Sequence, residues 1–226
     1  MKKLIIFSLF SIIGLIATAQ PVAESTMKKV SVGYDVYTSI WMDMPTGIKT
    51  RTINQGANVF LMYNHLLGEK GISFAGGVGV SSENLYLKDA YVPNVKLDSI
   101  SFVDTPDGVN LKRSKLNVTY VDIPIEIRYV TNSKMRFTLG MKFGFAIDSK
   151  TKIKGDAFDS EGSLGWGTKE KHKDVNQLES TRFGVQARIG YKWVHFYGYY
   201  SLNKVFKADK GPQMYPISLG ITFMPF

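Results

Sequence analysis

Between residues 135 and 148 the side chains alternate in character without a break, and a chain that does this repeatedly has few folds open to it. Met135, Phe137, Leu139, Met141, Phe143, Phe145 and Ile147 share one face of an extended strand, because successive side chains of a strand point to opposite sides. Arg136, Thr138, Gly140, Lys142, Gly144, Ala146 and Asp148 share the other. The pattern returns over 182–193, where Phe183, Val185, Ala187, Ile189, Tyr191 and Trp193 oppose Arg182, Gly184, Gln186, Arg188, Gly190 and Lys192. Counting every such run predicts eight strands, at 30–43, 53–67, 72–87, 116–130, 135–150, 181–193, 195–206 and 216–226. Past the first 19 residues no stretch holds apolar side chains at helical spacing.

An even count lets an up-and-down barrel close with both termini on one side, and most runs exceed the roughly 9–11 residues a tilted strand needs to cross a bilayer. The connections support this. They are short at 68–71, 131–134 and Val194, and longer at 44–51, 88–115, 150–180 and 207–213. Short periplasmic turns and longer outer loops give that asymmetry. The expected fold is all-β: an eight-stranded antiparallel up-and-down transmembrane β-barrel of the outer-membrane type.

Alternation alone does not say which face is inside, and a soluble periplasmic lipocalin-like ligand-binding barrel would turn its apolar face inward. Three features favour lipid on the apolar face. The polar face carries Gly33, Gly77, Gly79, Gly140, Gly144, Gly184 and Gly190, which would weaken a solvated sheet but make room in a narrow lumen. It also carries both signs of charge, with Asp35, Glu83, Asp122 and Glu126 set against Arg128, Arg136, Lys142, Arg182, Arg188 and Lys192. Buried charges persist when paired, so these residues predict a salt-bridged core rather than an open pore. Finally, Tyr129, Trp193, Phe196, Phe206 and Phe223 gather toward strand ends, as interface girdles do.

The opening MKKLIIFSLFSIIGLIATAQ joins a basic start, an apolar run and a small-residue site ending at Ala19, which is the pattern of a secretory signal peptide. The expected organisation is a leader at 1–19 and a single barrel domain at 20–226. The chain has no cysteine, which excludes a lipobox, disulfides and thiol-metal sites. Removing the two leader lysines from 28 basic residues leaves 26 against 19 acidic ones, a net charge of +7 with histidine neutral. In an exported protein that excess points to lipid phosphate rather than nucleic acid.

The terminal strand, YPISLGITFMPF, puts Tyr215, Ile217, Leu219, Ile221 and Phe223 on one face. It looks like the assembly signal of outer-membrane barrels, read by the barrel insertion machinery, with Phe223 as its aromatic residue and 224–226 as a short tail. The stretch LNVTYVDIPIEIRYV at 116–130 supplies Tyr120, Ile123, Pro124 and Tyr129 in a Y-x-x-I-P-x-x-x-x-Y arrangement. With the glycine-alternating strands that follow, it resembles the PorT-like outer membrane beta-barrel domain family of Bacteroidota. The resemblance implies an outer-membrane location and an accessory role in protein secretion linked to gliding motility, and it carries no catalytic residue. Pro124 removes a ladder bond, and Val118 and Tyr120 are out of step with Ile123, Ile125, Ile127 and Tyr129, so a bulge is expected at Pro124.

Catalytic chemistry has little to work with. None of His65, His172 and His195 has a second ligand at metal-site spacing, and His65 and His195 read as interfacial side chains. An outer-membrane lipid A-modifying enzyme would need a nucleophile held by a base, for which His172 with Ser160, Ser163, Asp156, Asp159 and Asp174 is the available set. The same residues serve polar turns. Lys150, Lys152, Lys154, Lys169, Lys171 and Lys173, with Lys207 and Lys210, could bind lipopolysaccharide phosphates as point charges. The glycine-rich SEGSLGWG at 160–167 follows no buried strand and opens no helix, so it is not a phosphate loop. The expectation is a non-enzymatic barrel with no cofactor or metal. Its partners are outer-membrane lipid including lipopolysaccharide, the insertion machinery, and other envelope or secretion proteins.

Overall fold

The computed structural model describes residues 29–67, 71–93, 95–106, 108–109, 111–158 and 164–224, with the backbone alone at 156–158 and 164–170. The expected leader at 1–19, Gly68, Asp159, Ser160, Ser163, Pro225 and Phe226 lie outside the described residues. Twelve strands occur among the described residues: β1 Val30–Met42, β2 Lys49–Thr50, β3 Gln55–Leu66, β4 Ile72–Lys88, β5 Ala90–Tyr91, β6 Val103–Asp104, β7 Arg113–Val130, β8 Met135–Phe158, β9 Leu164–Lys173, β10 Thr181–Tyr191, β11 Val194–Ser201 and β12 Tyr215–Phe223. Eight of them close a barrel in the order β1-β3-β4-β7-β8-β10-β11-β12, every neighbour antiparallel, with β12 returning to β1 from Tyr34↔Phe223 to Met42↔Tyr215.

The face assignment follows the alternation. Phe137, Leu139, Met141, Phe143, Phe145 and Ile147 of β8 are all exposed, as are Ile123, Ile125 and Ile127 of β7 and Val32, Tyr34 and Val36 of β1. At about 3.3 Å per residue and a tilt near 40°, the ten steps from Phe137 to Ile147 rise roughly 25 Å, the height of an outer-membrane apolar band. No described helix is long and apolar enough to cross a membrane, and the strands do the crossing. Trp193, Phe196, Tyr129 and Phe223 are exposed near the end of the barrel with the short turns, as girdle residues should be.

Above this band the barrel wall continues, and its interior changes character. Trp41, Leu85, Leu87, Leu116, Val118 and Tyr120 point inward there and pack with Val92, Val95, Ile100 and Phe102 from the β4–β7 connection and Val205, Phe206 and Met214 from the β11–β12 connection. These residues form an apolar plug in the outer mouth. Val118 and Tyr120 therefore need no phase change: inward positions of β7 are buried from Ser114 to Arg128, polar at one end and apolar at the other. The bulge expected at Pro124 is absent. Pro124 stands opposite Lys142 in unbroken register, and the irregularity lies at Thr119/Tyr120, where Ile147 is the extra residue on β8.

Other expectations also need correction. Residues 150–158 continue β8 and pair with β9 as a hairpin rather than forming a loop, because Thr151 and Ile153 keep the period of two beneath a run of lysines. The strand expected at 195–206 ends at Ser201, and Phe206 is a plug residue, 1% exposed, rather than a girdle aromatic. Lys192 sits exposed in the β10–β11 turn at φ 53°, outside the lumen.

Candidate functional site

Within the membrane span the lumen is filled by a charged network with two main levels. In the upper one, Arg182 donates to Asp122 Oδ2 at 2.8 Å, to Glu83 Oε2 at 2.7 Å and to Ser81 at 2.5 Å, while Ser39 donates to Glu83 at 2.7 Å. In the lower one, Arg188 reaches Asp35 Oδ2 at 3.1 Å and Glu126, and donates through Nε to Thr222 at 3.0 Å. Asn58 and Gln186 each add a 2.8 Å bond, to Asp35 and Glu126. Arg128 pairs with Glu126 at 2.7 Å and also donates to Ser31 and Asn64. The alternation makes this possible: each of these side chains occupies an inward position of its strand.

Lys142 lies between the levels, 1% exposed, and donates to the Tyr197 hydroxyl at 2.7 Å with its ammonium 4.8 Å from the Tyr199 ring centre. Aromatic faces and a hydroxyl take the place of a carboxylate, the arrangement a cation–π contact favours once water is excluded. Four carboxylates (Asp35, Glu83, Asp122, Glu126) and four cations (Arg128, Lys142, Arg182, Arg188) thus balance within the buried lumen. Small residues leave the space. A methyl on Gly144 would overlap Asp122 and Arg182, and one on Gly33 would enter the Phe60 ring.

At the short-turn end of the lumen, Arg136 keeps the inward position of β8 expected of it, and His195 departs from its expected place. Arg136 is half-buried near the short-turn end, opposite Gly190, and has no ion pair among the described residues. His195, expected at the interface, instead points into the lumen beside Gly190, 1% exposed, because Val194 and Phe196 take the outward positions of β11. Tyr37, Tyr197 and Tyr199, which alternation with the lipid-facing Phe196 and Tyr200 would have assigned, form the aromatic lining that the sequence reading missed. Phe223 faces outward on β12 between Tyr34 and Val194.

At the outer mouth the connections form a platform over the plug. Gln177 donates to the carbonyls of Val95 and Leu97, Lys210 pairs with Asp98 at 2.5 Å, and the backbone N–H of Ile100 bonds to Lys210 O at 2.8 Å. Between these segments lies an open basin of about 880 Å³ bordered by Lys96, Lys171, Lys173, Lys207 and Lys210, with Asp98 and Asp174 as the acidic members. His172 borders it too, but among the described residues no serine, threonine or tyrosine does. Among the described residues no group of three or more His, Cys, Asp or Glu could hold a metal ion.

Residues 29–207 match the family described as Outer membrane protein beta-barrel domain. The chain belongs to this family. It is an outer-membrane protein, and the soluble-barrel alternative is set aside. Among solved structures it is similar to Ail, the attachment invasion locus protein of Yersinia pestis, at 12% identity over 87% of this chain and 97% of that one, TM-score 0.39. The same protein in complex with the heparin analogue sucrose octasulfate gives 14% identity with the same coverage and TM-score. A mutant of Rh. blastica porin is similar at 9% identity over 86% and 99% of the two chains, TM-score 0.20. No curated protein matches the sequence.

Proposed function

We propose that this chain is a non-enzymatic barrel, closed to solutes, whose outer platform engages another component of the cell envelope. The narrower form of this reading is the secretion-accessory role implied by the PorT-like resemblance. The observation that carries it is double occlusion: the lumen is crossed by paired charges and then capped by the apolar plug, so its cross-section is spent on side chains. A barrel built this way has its outer loops left as the working surface, and here they are tied to one another and expose a cationic basin. Residues 1–19 act as an export signal in this reading, and Phe223 as the aromatic mark for insertion. The lumen charges Asp122, Glu126, Arg128, Lys142, Arg182 and Arg188 are structural.

The test is site-specific photo-crosslinking in the native host from Lys207 and Lys210, with single-channel recording of the purified barrel. A reproducible envelope-protein adduct and no conductance are the expected results. Steady conductance would make the protein a channel. Loss of a lipid A modification on His172→Ala, read by mass spectrometry of extracted lipid, would make it an enzyme. Sequencing the mature N-terminus tests cleavage before Gln20.

A further inference from the structure

The outer third of the barrel wall carries a pattern that the lumen does not use and that the platform basin shares only at Lys171 and Lys173. On β7, β8 and β9 the register sets Lys115, Lys152 and Lys171 directly abreast. One step below, Lys150 stands beside Lys173, and one step above, Arg113 stands beside Lys154. Residues directly opposite in antiparallel strands share a face, so these seven cations form one surface. Their inward-pointing neighbours Ser114, Leu116, Thr151 and Ile153 are buried, which fixes that surface as the outside of the wall. Asp148 is a carboxylate on it, 3.1 Å from Lys150.

Like charges abreast on a sheet repel one another. The effect is visible at Lys115: burial, and then the charges of Arg113, Lys150 and Lys152, hold its ammonium below the ordinary lysine value. A surface assembled at that cost suits an anion. Its height says which one. Ile147 is the last apolar outward residue of β8, and Lys150, Lys152 and Lys154 follow it at three, five and seven steps along the chain. At about 3.3 Å per residue, this places their Cα positions roughly 10–23 Å farther along a tilted strand, from the headgroup layer at Lys150 outward into the polar zone above it.

We infer that this three-stranded wall binds the phosphate groups of the phosphorylated glycolipid of the outer leaflet, lipopolysaccharide, as a lateral lipid-binding surface. Lysine ammoniums meet phosphates as point charges, and three ranks of them can follow a headgroup bearing several phosphates without a preformed pocket. The inference rests on the outer-membrane location alone, so a failure to find a platform partner would leave it standing.

The experiment uses the whole barrel folded in detergent and then placed in vesicles of phosphatidylcholine, of phosphatidylcholine with lipopolysaccharide, or of phosphatidylcholine with dephosphorylated lipopolysaccharide. Wild type is compared with Lys115→Gln/Lys152→Gln/Lys171→Gln. Heat-modifiable migration gives the unfolding midpoint, and native mass spectrometry reports retained lipid. Phosphorylated lipopolysaccharide should raise the wild-type midpoint and stay bound. The triple variant should migrate as a closed barrel yet retain lipid at least fivefold less well, with the difference shrinking as salt rises. Equal retention by the variant, or equal retention of dephosphorylated lipid, would overturn the inference. So would a full midpoint rise from inorganic phosphate alone, which would mark an ion site rather than a lipid surface.

Discussion

Replacing Arg188 by leucine is the sharpest probe of the lumen. Its guanidinium holds two carboxylates from opposite sides of the barrel, Asp35 at 3.1 Å and Glu126, and all three side chains are at most 1% exposed. Hydrogen bonds to charged groups contribute about 1.5–3 kcal/mol each, so losing both gives about 3–6 kcal/mol. Removing one partner of a buried pair gives about 3–5 kcal/mol by a separate route. Asp35 would keep Asn58 and Thr222, and Glu126 would keep Arg128 and Gln186, so a value near the middle, about 4 kcal/mol, is expected. Asp35→Asn added to Arg188→Leu removes one stranded charge and should recover at least about 1 kcal/mol, a coupling typical of residues in contact. Lys142→Met should be milder, about 1 kcal/mol, since Lys142 has hydroxyl and ring contacts in place of an ion pair. Urea titrations of the barrel refolded in vesicles, read by gel migration without boiling, give these differences. If Arg188→Leu costs no more than Lys142→Met, the lumen is hydrated and the charges are not acting as a dry, paired core.

Leu139→Arg and Ile189→Arg, both exposed on the lipid face, should each cost about 2–4 kcal/mol near the midplane and block assembly, and normal insertion of both would reverse the face assignment. Phe206→Ala removes a plug ring that stands edge-on to Phe102 at 6.2 Å. It should cost about 3–5 kcal/mol of local stability, seen as faster proteolysis of the outer connections while the heat-modifiable barrel persists. For Lys115, the lowered folded-state pKa means the unfolded chain binds more protons between that value and 10.5, so stability gains as pH rises through this window. Lys115→Gln lacks this dependence, so wild type should gain stability relative to the variant as pH rises through the window in urea titrations, on top of a fixed difference from the lost Asn84 hydrogen bond and Tyr86 ring contact.

The barrel itself was legible because a period of two, maintained over whole strands, leaves one face for lipid and one for the lumen. Arg182, Arg188, Asp122 and Glu126 could be assigned inward from that alone, and each occupies an inward position. Their pairing could not, because partners such as Arg188 and Asp35 lie 153 residues apart and meet only after closure fixes the register. The plug was hidden for a different reason. Val92 and Ile100 sit in a polar connection with no period, Phe206 ends a run that reads as strand, and their burial depends on an opening that exists only once the wall stands. Lysines concealed the β8–β9 hairpin, since a charge at every second position of 150–154 reads as loop unless Thr151 and Ile153 are seen as its buried face.

One residue joins these observations. Up to Ala146, the even positions of β8 face the lumen; the extra residue at Ile147 shifts the pairing so that Asp148, opposite Thr119, starts a run of even positions facing out. Without it, Lys150, Lys152 and Lys154 would be aimed into the apolar plug, and Thr151 and Ile153 would be turned to solvent. Burying unpaired ammoniums among Leu116 and Val118 would be prohibitive, so the bulge is what allows one strand to be apolar outside within the membrane and cationic outside above it. Pro124 has a smaller part, because the ladder bond it lacks is lost without changing the phase of β7.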